Sequence, residues 1–259
     1  MPYETLTYDV TDRIATIAVN RPDKLNALNA RVINELGLAI DAARASNDVG
    51  AIILTGAGRA FIAGADISEL EQHNAVTMKQ VSQTGSEVFK RFETSPKPTV
   101  AAVNGFCLGG GCEIAMACHM RIASESAKFG QPETKLGLLP GYGGTQRLPR
   151  LVGKGRALQL LMTSEIIDAQ EAYRIGLANK VVAPDQLIET TRTMLKTIMA
   201  NGPLAVAACI EAVNSGYDLS LDQAMTLEAT FFGLLAATED KREGTRAFLE
   251  KRAANFTGA

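Results

Sequence analysis

The residues between Ala101 and Cys118 have the types and the order that an enzyme could use to stabilise a negatively charged oxygen. An apolar, β-branched run at Thr99 to Val103 is followed by a turn and then by the glycines 109–111. An apolar segment that predicts a helix begins after them and carries one acid, Glu113. Glycines at such a junction let a ligand approach the backbone closely, and the first N–H groups of a helix have no partner within it. The stretch therefore predicts backbone donors aimed at an oxygen that acquires negative charge.

Two interpretations of this stretch stay open from its residues alone. A glycine-rich turn before a helix also occurs where two backbones simply pack closely. It matches no nucleotide-binding motif, because the spacing is not G-x-G-x-x-G, and Gly153-Lys154-Gly155 lacks the Ser or Thr of a P-loop. Glu113, in turn, is either solvated at the rim of the helix or held in a dry pocket that raises its pKa.

A second segment is also rich in small residues. Residues 56–67 read GAGRAFIAGADI, and we interpret them as a loop. Small side chains leave backbone N–H groups open to a ligand, although close packing in a tight loop is the alternative. The chain thus offers two segments at which a ligand could contact the main chain.

The composition argues against several classes of protein. Charges nearly cancel to a net −2, so there is no global basic field for nucleic acid or a membrane surface. The two histidines are far apart and form no H-E-x-x-H motif, so we expect no metal site. The four cysteines form no C-x-x-C pair, and we interpret them as reduced core residues of a cytosolic protein: Cys107, Cys112, Cys118 and Cys209.

Length and terminal sequence bound the organisation of the chain. With 259 residues we expect one large domain, or one domain with a small appendage. The N-terminal sequence MPYETLTYDVTDR has neither a basic leader nor an apolar segment, so we expect no export signal. No apolar run approaches the ~20 residues of a membrane span. We therefore expect a cytoplasmic protein with no membrane partner.

The first half of the chain alternates between strand and helix patterns. Two short β-rich runs, Thr5 to Val10 and Ile14 to Asn20, flank a turn-prone Thr-Asp-Arg and predict a hairpin. Asn29 predicts the N-cap of a helix that runs to about residue 45. The apolar run at residues 51–55 is typical of a strand buried on both faces. This order of strand, helix and strand implies a parallel crossover.

The middle of the chain is less regular. Polar residues from Glu69 to Gln80 predict an exposed, mobile segment before a helix of about Val81 to Glu93. After the glycine-rich helix, Arg121 to Ser124 reads as a strand and Glu133 is expected on a loop. Leu136 to Arg150 is rich in Gly and Pro and predicts a structured loop.

From Gly153 onward the pattern is mostly helical, interrupted by a short apolar run at Lys180 to Val182. We place a boundary near residue 185, which divides the chain into residues 1–185 and 186–259. Residues 226–237, TLEATFFGLLAA, are more apolar than a solvent-facing helix should be. They predict either core or, as we favour for a terminal helical region, a subunit contact. The predicted helices cover residues 154–162, 168–174, 185–200, 203–214, 220–236 and 240–252.

Five motifs, in order along essentially the whole chain, carry a family resemblance. They are NRP at 20–22 with LNAL at 25–28, AGADI at 63–67, NGFCLGGGCEIAMAC at 104–118, FGQPE at 129–133 and PGYGGTQRLPRLVG at 140–153. Together they resemble the enoyl-CoA hydratase (crotonase) family. The resemblance implies an α/β fold, a spiral of ββα units followed by a C-terminal helical subdomain used for trimerisation. It also implies a homo-oligomer, usually a hexamer built as a dimer of trimers.

The resemblance assigns roles to the residues singled out above. The backbone N–H groups of Ala65 and Gly110 would form an oxyanion hole for a thioester carbonyl, where one donor is worth about 3 kcal/mol of transition-state stabilisation. Hydratases of the family carry a glutamate in both the GGGCE and the FGQPE motif, here Glu113 and Glu133. Glu113 would hold and deprotonate the water that adds at C3, and Glu133 would deliver the proton to C2. No cofactor is implied, because coenzyme A is part of the substrate.

The resemblance also places the coenzyme A part of the substrate. Its contacts within one subunit would be Lys24, Leu25, Ala27, Ala63, Asp66 and Ile67. A neighbouring subunit would add Phe248 and Lys251.

The sequence departs from the family pattern at two positions. Many relatives have RPKALNAL where this chain has RPDKLNAL, so the lysine is shifted by one position and a solvated charge is the alternative for Lys24. His119 stands where relatives often have Asp, and we expect a structural substitution at the start of a strand rather than a catalytic role.

Three functions from different classes follow. A short-chain 2-enoyl-CoA hydratase of β-oxidation or butanoate-type metabolism, acting on a crotonyl-CoA-like substrate, is favoured because both glutamates are present. A Δ3,Δ2-enoyl-CoA isomerase, or another acyl-CoA hydratase or lyase of the superfamily, is the alternative, and such isomerases commonly retain only one acid. The near-neutral charge and the lack of a Lys/Arg cluster argue against an RNA-binding relative. Acyl chain length and branching stay open, because we expect the depth of the pocket to depend on side chains between Glu69 and Val88 and on Tyr142. Stereochemistry and pathway stay open as well.

Overall fold

The computed structural model describes residues 3–259, and Met1 and Pro2, at the head of the segment expected to lack an export signal, lie outside them. The strands are Leu6–Thr11 (β1), Ile14–Val19 (β2), Ala51–Gly56 (β3), Ala60–Ala63 (β4), Thr99–Val103 (β5), Phe106–Leu108 (β6), Met120–Ser124 (β7), Lys128–Gly130 (β8), Ile166–Asp168 (β9) and Lys180–Val182 (β10). The α-helices are Ala30–Ala45 (α1), Ile67–Leu70 (α2), Ala75–Glu93 (α3), Gly110–Ala117 (α4), Gly144–Val152 (α5), Lys154–Thr163 (α6), Ala169–Arg174 (α7), Leu187–Met199 (α8), Pro203–Gly216 (α9), Leu221–Leu235 (α10) and Glu239–Glu250 (α11).

The strands form two sheets, and the chain visits them in turn. The first sheet has the order β1-β2-β3-β5-β7-β10 and the second the order β4-β6-β8-β9. Strands β3, β5 and β7 lie in the first sheet, and the strand that follows each of them, β4, β6 and β8, lies in the second. The chain therefore advances by one strand in both sheets at each turn. The expected α/β spiral of ββα units is confirmed.

Several local predictions from the sequence are confirmed. Strands β1 and β2 pair as the predicted antiparallel hairpin, and every residue of β3 is buried between its parallel neighbours β2 and β5. Asn29 caps α1, because its side chain accepts a hydrogen bond from Val32 N–H at 2.9 Å. One face of α1 is buried and includes Leu36 and Ile40, each fully inaccessible to solvent. Burying such a side chain stabilises the fold by roughly 1.5–3 kcal/mol.

The segment from Glu69 to Gln80, predicted as exposed and mobile before a helix at about Val81, is mostly exposed, but the predicted start of that helix is wrong. It contains the end of α2 and the start of α3, which begins at Ala75 rather than near Val81. Asn74 initiates α3: its Oδ1 accepts from the N–H groups of Val76 and Thr77 at 2.9 and 3.0 Å, and its own N–H donates to Thr77 Oγ1. This reciprocal cap satisfies N–H groups in the first turn of the helix.

Three further predictions of loops are wrong. The segment 56–67 contains strand β4, Glu133 lies in a 3-10 helix at Pro132–Leu136, and α5 occupies the end of the predicted loop from Leu136 to Arg150. Short elements of this kind are fixed by pairing and packing rather than by a local pattern.

The described chain divides into two compact units. The first comprises residues up to Glu93 together with Thr99–Thr191, and it contains both sheets and the apolar core. The second comprises Thr94–Pro98 and Arg192–Ala259, in which α9 packs on α10. The boundary predicted at residue 185 falls in a 3-10 helix, Pro184–Gln186, that leads into α8.

The environment of the cysteines differs in part from the expectation. Cys107, Cys112 and Cys118 are buried in the first unit, whereas Cys209 on α9 is exposed. The interpretation of all four as core residues is therefore wrong for Cys209. Its apolar neighbours in sequence do not reveal which face of α9 is covered.

Among residues 3–259, no single helix is long and apolar enough to cross a bilayer. Only the bent pair formed by Pro184–Met199 and Pro203–Gly216 meets the length and composition of a span, and only when both helices are taken together.

His119 connects the two points at which the chain leaves and re-enters the first unit. Its Nδ1 accepts a hydrogen bond from Thr99 N–H at 3.0 Å, so the ring proton resides on Nε2, 2.9 Å from the carbonyl oxygen of Glu93. The backbone N–H of His119 donates to Thr99 Oγ1 at 3.0 Å. Burial lowers the pKa of His119 below its usual 6.5, because the neutral ring is the form that fits.

We expect His119→Gln to lower the free energy of unfolding by about 1–3 kcal/mol at pH 8, since buried groups of Thr99 and Glu93 lose a partner. A lowered folded-state pKa means that the unfolded chain binds the proton more readily, so this stabilisation is lost as pH falls below about 6.5. Urea unfolding of both proteins between pH 5 and 8 measures the difference, which should shrink in acid. A difference that is independent of pH would contradict the assignment of a neutral imidazole.

Candidate active site

Three neighbouring strands of the second sheet end at one edge and bring distant parts of the chain together. In the parallel register, Ala63 of β4 pairs with Leu108 of β6, and Leu108 pairs with Gly130 of β8. The chain therefore leaves all three strands at the same level. The predicted site residues that follow within three positions are Ala65, Gly110 and Glu133.

Ala65 and Gly110 both present backbone N–H groups at this edge. Gly110 is the first residue of α4, so its N–H has no partner inside the helix. Ala65 is held by Leu28 on either side: Leu28 N–H donates to Gly64 O at 2.9 Å, and Asp66 N–H donates to Leu28 O at 2.7 Å. Within the described part of the chain, no acceptor faces the N–H of Ala65. Both groups are thus available to a ligand oxygen.

Glu113 lies one turn into α4 and is almost completely buried. Its Oε1 accepts hydrogen bonds from the N–H groups of Tyr142 and Gly144, each at 2.7 Å. Burial raises the pKa of this carboxyl to about 7, with the nearby charge of Glu133 adding to the rise and the two amides opposing it. Of the two interpretations from the sequence, the dry pocket is the one observed. The fixed Oε1 leaves Oε2 as the oxygen available to a ligand or water.

Glu133 reaches the same place from the 3-10 helix after β8. Burial raises its pKa to about 7 as well. Its Oε1 lies so close to Gly109 that a Cβ there would come within 2.7 Å of it, and Gly109 also has φ +50° and ψ −126°, a conformation that suits glycine. The Gln131 side-chain nitrogen, in the orientation that satisfies both groups, lies 3.1 Å from each oxygen of Glu133.

A cavity of about 380 Å³ connects these groups. The two carboxyls and the glycines at 64, 109 and 110 line one part of it, and most of the other lining side chains are apolar, with Lys79 and Ser82 as polar members. These apolar residues are Ile67, Leu70, Met78, Val81, Leu136, Leu138 and Leu139. An apolar compartment with a few convergent polar groups is the usual form of a small-molecule site.

Arg147 of α5 holds the loop that binds Glu113. Its Nε and one terminal nitrogen donate to the two carboxylate oxygens of Glu93 at 3.1 and 2.8 Å. Its other terminal nitrogen donates to Tyr142 O at 2.8 Å. A bidentate pair of this kind fixes geometry as well as charge. The amides of Tyr142 and Gly144 are therefore positioned before a ligand arrives.

The structure brings only some of the residues predicted for coenzyme A to the cavity. Ala63 and Ile67 line it. Asp66 instead accepts a hydrogen bond from Ser68 and lies 3.3 Å from Arg21, and these two contacts lower the pKa of its carboxyl. Ala63 N–H donates to Leu25 O at 3.1 Å, so residues 25–28 run beside residues 63–66.

The remaining predicted contacts lie outside the cavity. Lys24 is exposed in the 3-10 helix Pro22–Lys24, and neither Leu25 nor Ala27 lines the cavity. Phe248 is 83% exposed on α11, and Lys251 is the C-cap of the same helix. Their contact with a substrate stays a prediction.

Several residues around the site were not predicted from the sequence. Gln131 and Arg147 lie inside motifs quoted above, yet their roles depend on the partners that the fold supplies. Within residues 3–259, no cluster of three or more His, Cys, Asp or Glu side chains could hold a metal ion.

Known proteins resemble this chain over its whole length. A sequence model of the family described as enoyl-CoA hydratase/isomerase matches residues 9–259. A protein of Syntrophomonas wolfei named crotonyl-CoA hydratase is 48% identical over 257 residues, 99% of both chains. One of Clostridium acetobutylicum named short-chain-enoyl-CoA hydratase is 48% identical over 241 residues, 93% of this chain and 92% of that protein. A crystal structure titled as an enoyl-CoA hydratase subunit of Geobacillus kaustophilus superposes over both complete chains with a TM-score of 0.95 at 39% identity.

We expect Arg147→Met to raise the pKa of Glu113 above about 7, because the positive charge of the guanidinium lowers that pKa. The variant also no longer fixes the loop through Tyr142 O, so the amides that donate to Glu113 and lower its pKa are held less firmly. Arg147→Lys, which keeps the charge, is the matched control and should shift the pKa less. Carbon NMR titration of selectively labelled glutamate side chains measures both, with Glu113 assigned from its Gln variant. An unchanged or lower pKa in Arg147→Met would contradict this role.

Proposed function

The chain belongs to the enoyl-CoA hydratase/isomerase family, and on that premise we propose that it adds water reversibly across the C2=C3 bond of a short-chain 2-trans-enoyl-CoA. The product is the 3-hydroxyacyl-CoA, and crotonyl-CoA is the representative substrate. One observation carries the proposal: a buried glutamate, Glu113, and a half-buried one, Glu133, each with a pKa of about 7, border the same cavity as two free backbone donors. The names of its full-length relatives support the short chain.

Each glutamate has one role in the proposed reaction. The carboxylate of Glu113 takes a proton from water as the water oxygen bonds to C3. The protonated Glu133 gives its proton to C2 as the double-bond electrons move there. The cycle closes when the proton gained by Glu113 returns to Glu133. Acid–base assistance of this kind contributes roughly 10²–10⁴-fold per group.

The two pKa values suit this division of labour. Since both carboxyls titrate near 7, at neutral pH a state with one proton on the pair is well populated. Mutual repulsion favours the same state, because two close carboxylates do not ionise together easily. Glu113 can therefore be ionised as the base while Glu133 is protonated as the acid, and neither protonation state costs much free energy at neutral pH.

The backbone donors address the charge that develops between the two proton transfers. Addition at C3 moves negative charge onto the thioester oxygen. The N–H groups of Ala65 and Gly110 are suited to receive that oxygen, and Gly110 adds the partial positive charge at the start of α4. Donors fixed by the backbone need no reorganisation when the charge appears, which is the condition for strong stabilisation of a transition state.

All chemical steps use groups of the chain, so the proposal requires no metal or redox cofactor, and coenzyme A enters as part of the substrate. For the coenzyme A part, the proposal keeps the contacts implied by the family resemblance. Ala63 and Ile67 are the members of that set that border the cavity. The proposal also keeps the cytoplasm as the site of action.

We expect Glu113→Gln and Glu133→Gln each to reduce kcat for crotonyl-CoA hydration by at least about 10²-fold. Each change keeps the side-chain shape, so the thermal unfolding transition should stay cooperative. The spectrophotometric loss of the conjugated thioester measures the rate. A 3-enoyl-CoA run in parallel tests the isomerase alternative: isomerisation faster than hydration would favour that alternative, and full hydration by either variant would refute the paired acids.

The proposed assembly is a homohexamer arranged as a dimer of trimers. Support comes from the C-terminal helices, on which large apolar side chains lie open in the single chain. Phe232 is 78% exposed, Leu234 63% and Phe248 83%. Large apolar side chains left open in a single chain often mark a contact with another protein chain.

We expect light scattering to give a mass of six times the 27.5 kDa of one chain. Phe232→Asp should yield smaller species, whereas Phe232→Leu, which keeps an apolar side chain, should not. A monomeric native protein would contradict the assembly while leaving the chemistry untouched.

A further inference from the structure

Two cavities of the first unit share one wall. The active-site cavity of about 380 Å³ lies beside a second cavity of about 630 Å³, which is bordered by α1 and α3 through residues such as Ile33, Thr84 and Val88. The side chains and backbone that border both cavities belong to Ala65, Leu70, Val81 and Tyr142. Tyr142 has the largest side chain of the four.

The ring of Tyr142 fits into a socket between two helices. On one side, a Cβ at Gly85 of α3 would come within 2.3 Å of Cε1 and 2.5 Å of Cδ1. On the other side, a Cβ at Gly110 of α4 would lie 3.3 Å from Cδ2 and 3.4 Å from Cε2. The Phe89 ring packs at a centroid distance of 5.2 Å. The ring therefore occupies the space of a missing Cβ at Gly85 of α3, and it lies close to Gly110 of α4.

The backbone of Tyr142 is held as firmly as its ring. Its N–H donates to Glu113 Oε1, and its carbonyl oxygen accepts from Arg147. The preceding residue is fixed as well, since Ser82 Oγ of α3 donates to Gly141 O. Only 8% of Tyr142 is exposed. A side chain fixed at the backbone, at both faces and by an aromatic neighbour cannot swing aside to lengthen a pocket without moving a helix.

This wall stands next to the reacting carbons. Gly110, whose N–H is suited to the thioester oxygen, lies next to the ring. Glu113, which would hold the water at C3, accepts a hydrogen bond from the backbone N–H of Tyr142. An acyl chain that starts at these groups meets the ring after few carbons. We propose that Tyr142 sets the upper limit on acyl chain length, because its ring separates the active-site cavity from the cavity between α1 and α3. This proposal rests on the proposed hydratase function.

The decisive comparison is between Tyr142→Ala and Tyr142→Phe, with crotonyl-, hexenoyl-, octenoyl- and decenoyl-CoA as substrates. In the native protein, kcat/KM should fall as the chain lengthens. Tyr142→Phe keeps the ring and should keep this profile. Tyr142→Ala should raise the ratio of octenoyl-CoA to crotonyl-CoA kcat/KM by at least about tenfold, since a single methylene that gains or loses its place in an apolar pocket changes specificity by roughly that factor or more.

The outcomes separate this inference from the function on which it rests. The role of Tyr142 would be refuted, and the hydratase function left standing, by either of two results. One is a folded Tyr142→Ala variant with the native chain-length profile; the other is a native protein whose kcat/KM for decenoyl-CoA equals that for crotonyl-CoA. Equal broadening in Tyr142→Phe would also refute that role, because the ring would then not be the barrier. A native protein inactive on every 2-enoyl-CoA would end both proposals. If circular dichroism shows that Tyr142→Ala does not fold, Tyr142→Leu, which keeps a buried apolar side chain but removes the ring, is held to the same criteria.

Discussion

The parallel register of β4, β6 and β8 is the constraint on which the site depends. Ala63, Leu108 and Gly130 stand side by side across three strands, so whatever follows them must meet at one edge. A slip of one residue in any pair would turn the following segment toward the opposite face, because side chains alternate along a strand. The strands are only three or four residues long. Their register is therefore fixed by the first sheet and by the helices, through the connection of each strand to its ββα unit.

Removing two carboxyls from water at this edge raises their pKa values, and contacts around Glu113 limit the rise. Desolvation alone would drive Glu113 toward a permanently protonated state, in which it could not act as a base. Two amides and the charge of Arg147 oppose that trend and keep the pKa near 7. Arg147 in turn depends on Glu93, whose carbonyl oxygen is bonded by His119. The useful acidity of one side chain thus rests on a chain of contacts that reaches the far end of α3.

Local signals in the sequence predicted a good part of this arrangement, and the rest required the fold. The cap at Asn29, the first hairpin and the fully buried β3 follow from periodicity and capping over neighbouring residues. The two small-residue segments and Glu113 were recognised because glycine and a lone acid in an apolar helix are visible as residue types. Strands β4 and β6 escaped prediction, because a run of three or four residues shows no usable period. Arg147 and Gln131 escaped because a polar side chain reveals nothing about a partner that is distant in sequence.

The presence of glycine at two positions near the site is explained by side chains from other elements that fill the space a Cβ would take. Gly85 lies in the middle of α3, where its backbone conformation gives no reason for it and where it weakens the helix by about 1 kcal/mol relative to Ala. The reason is the ring of Tyr142, which stands where a Cβ would be. Gly109 likewise leaves space for the carboxylate of Glu133. The missing side chain in one element therefore leaves the space that a functional side chain from a second element fills. Where the backbone of a helix does not explain a glycine, the residue that packs against that glycine does.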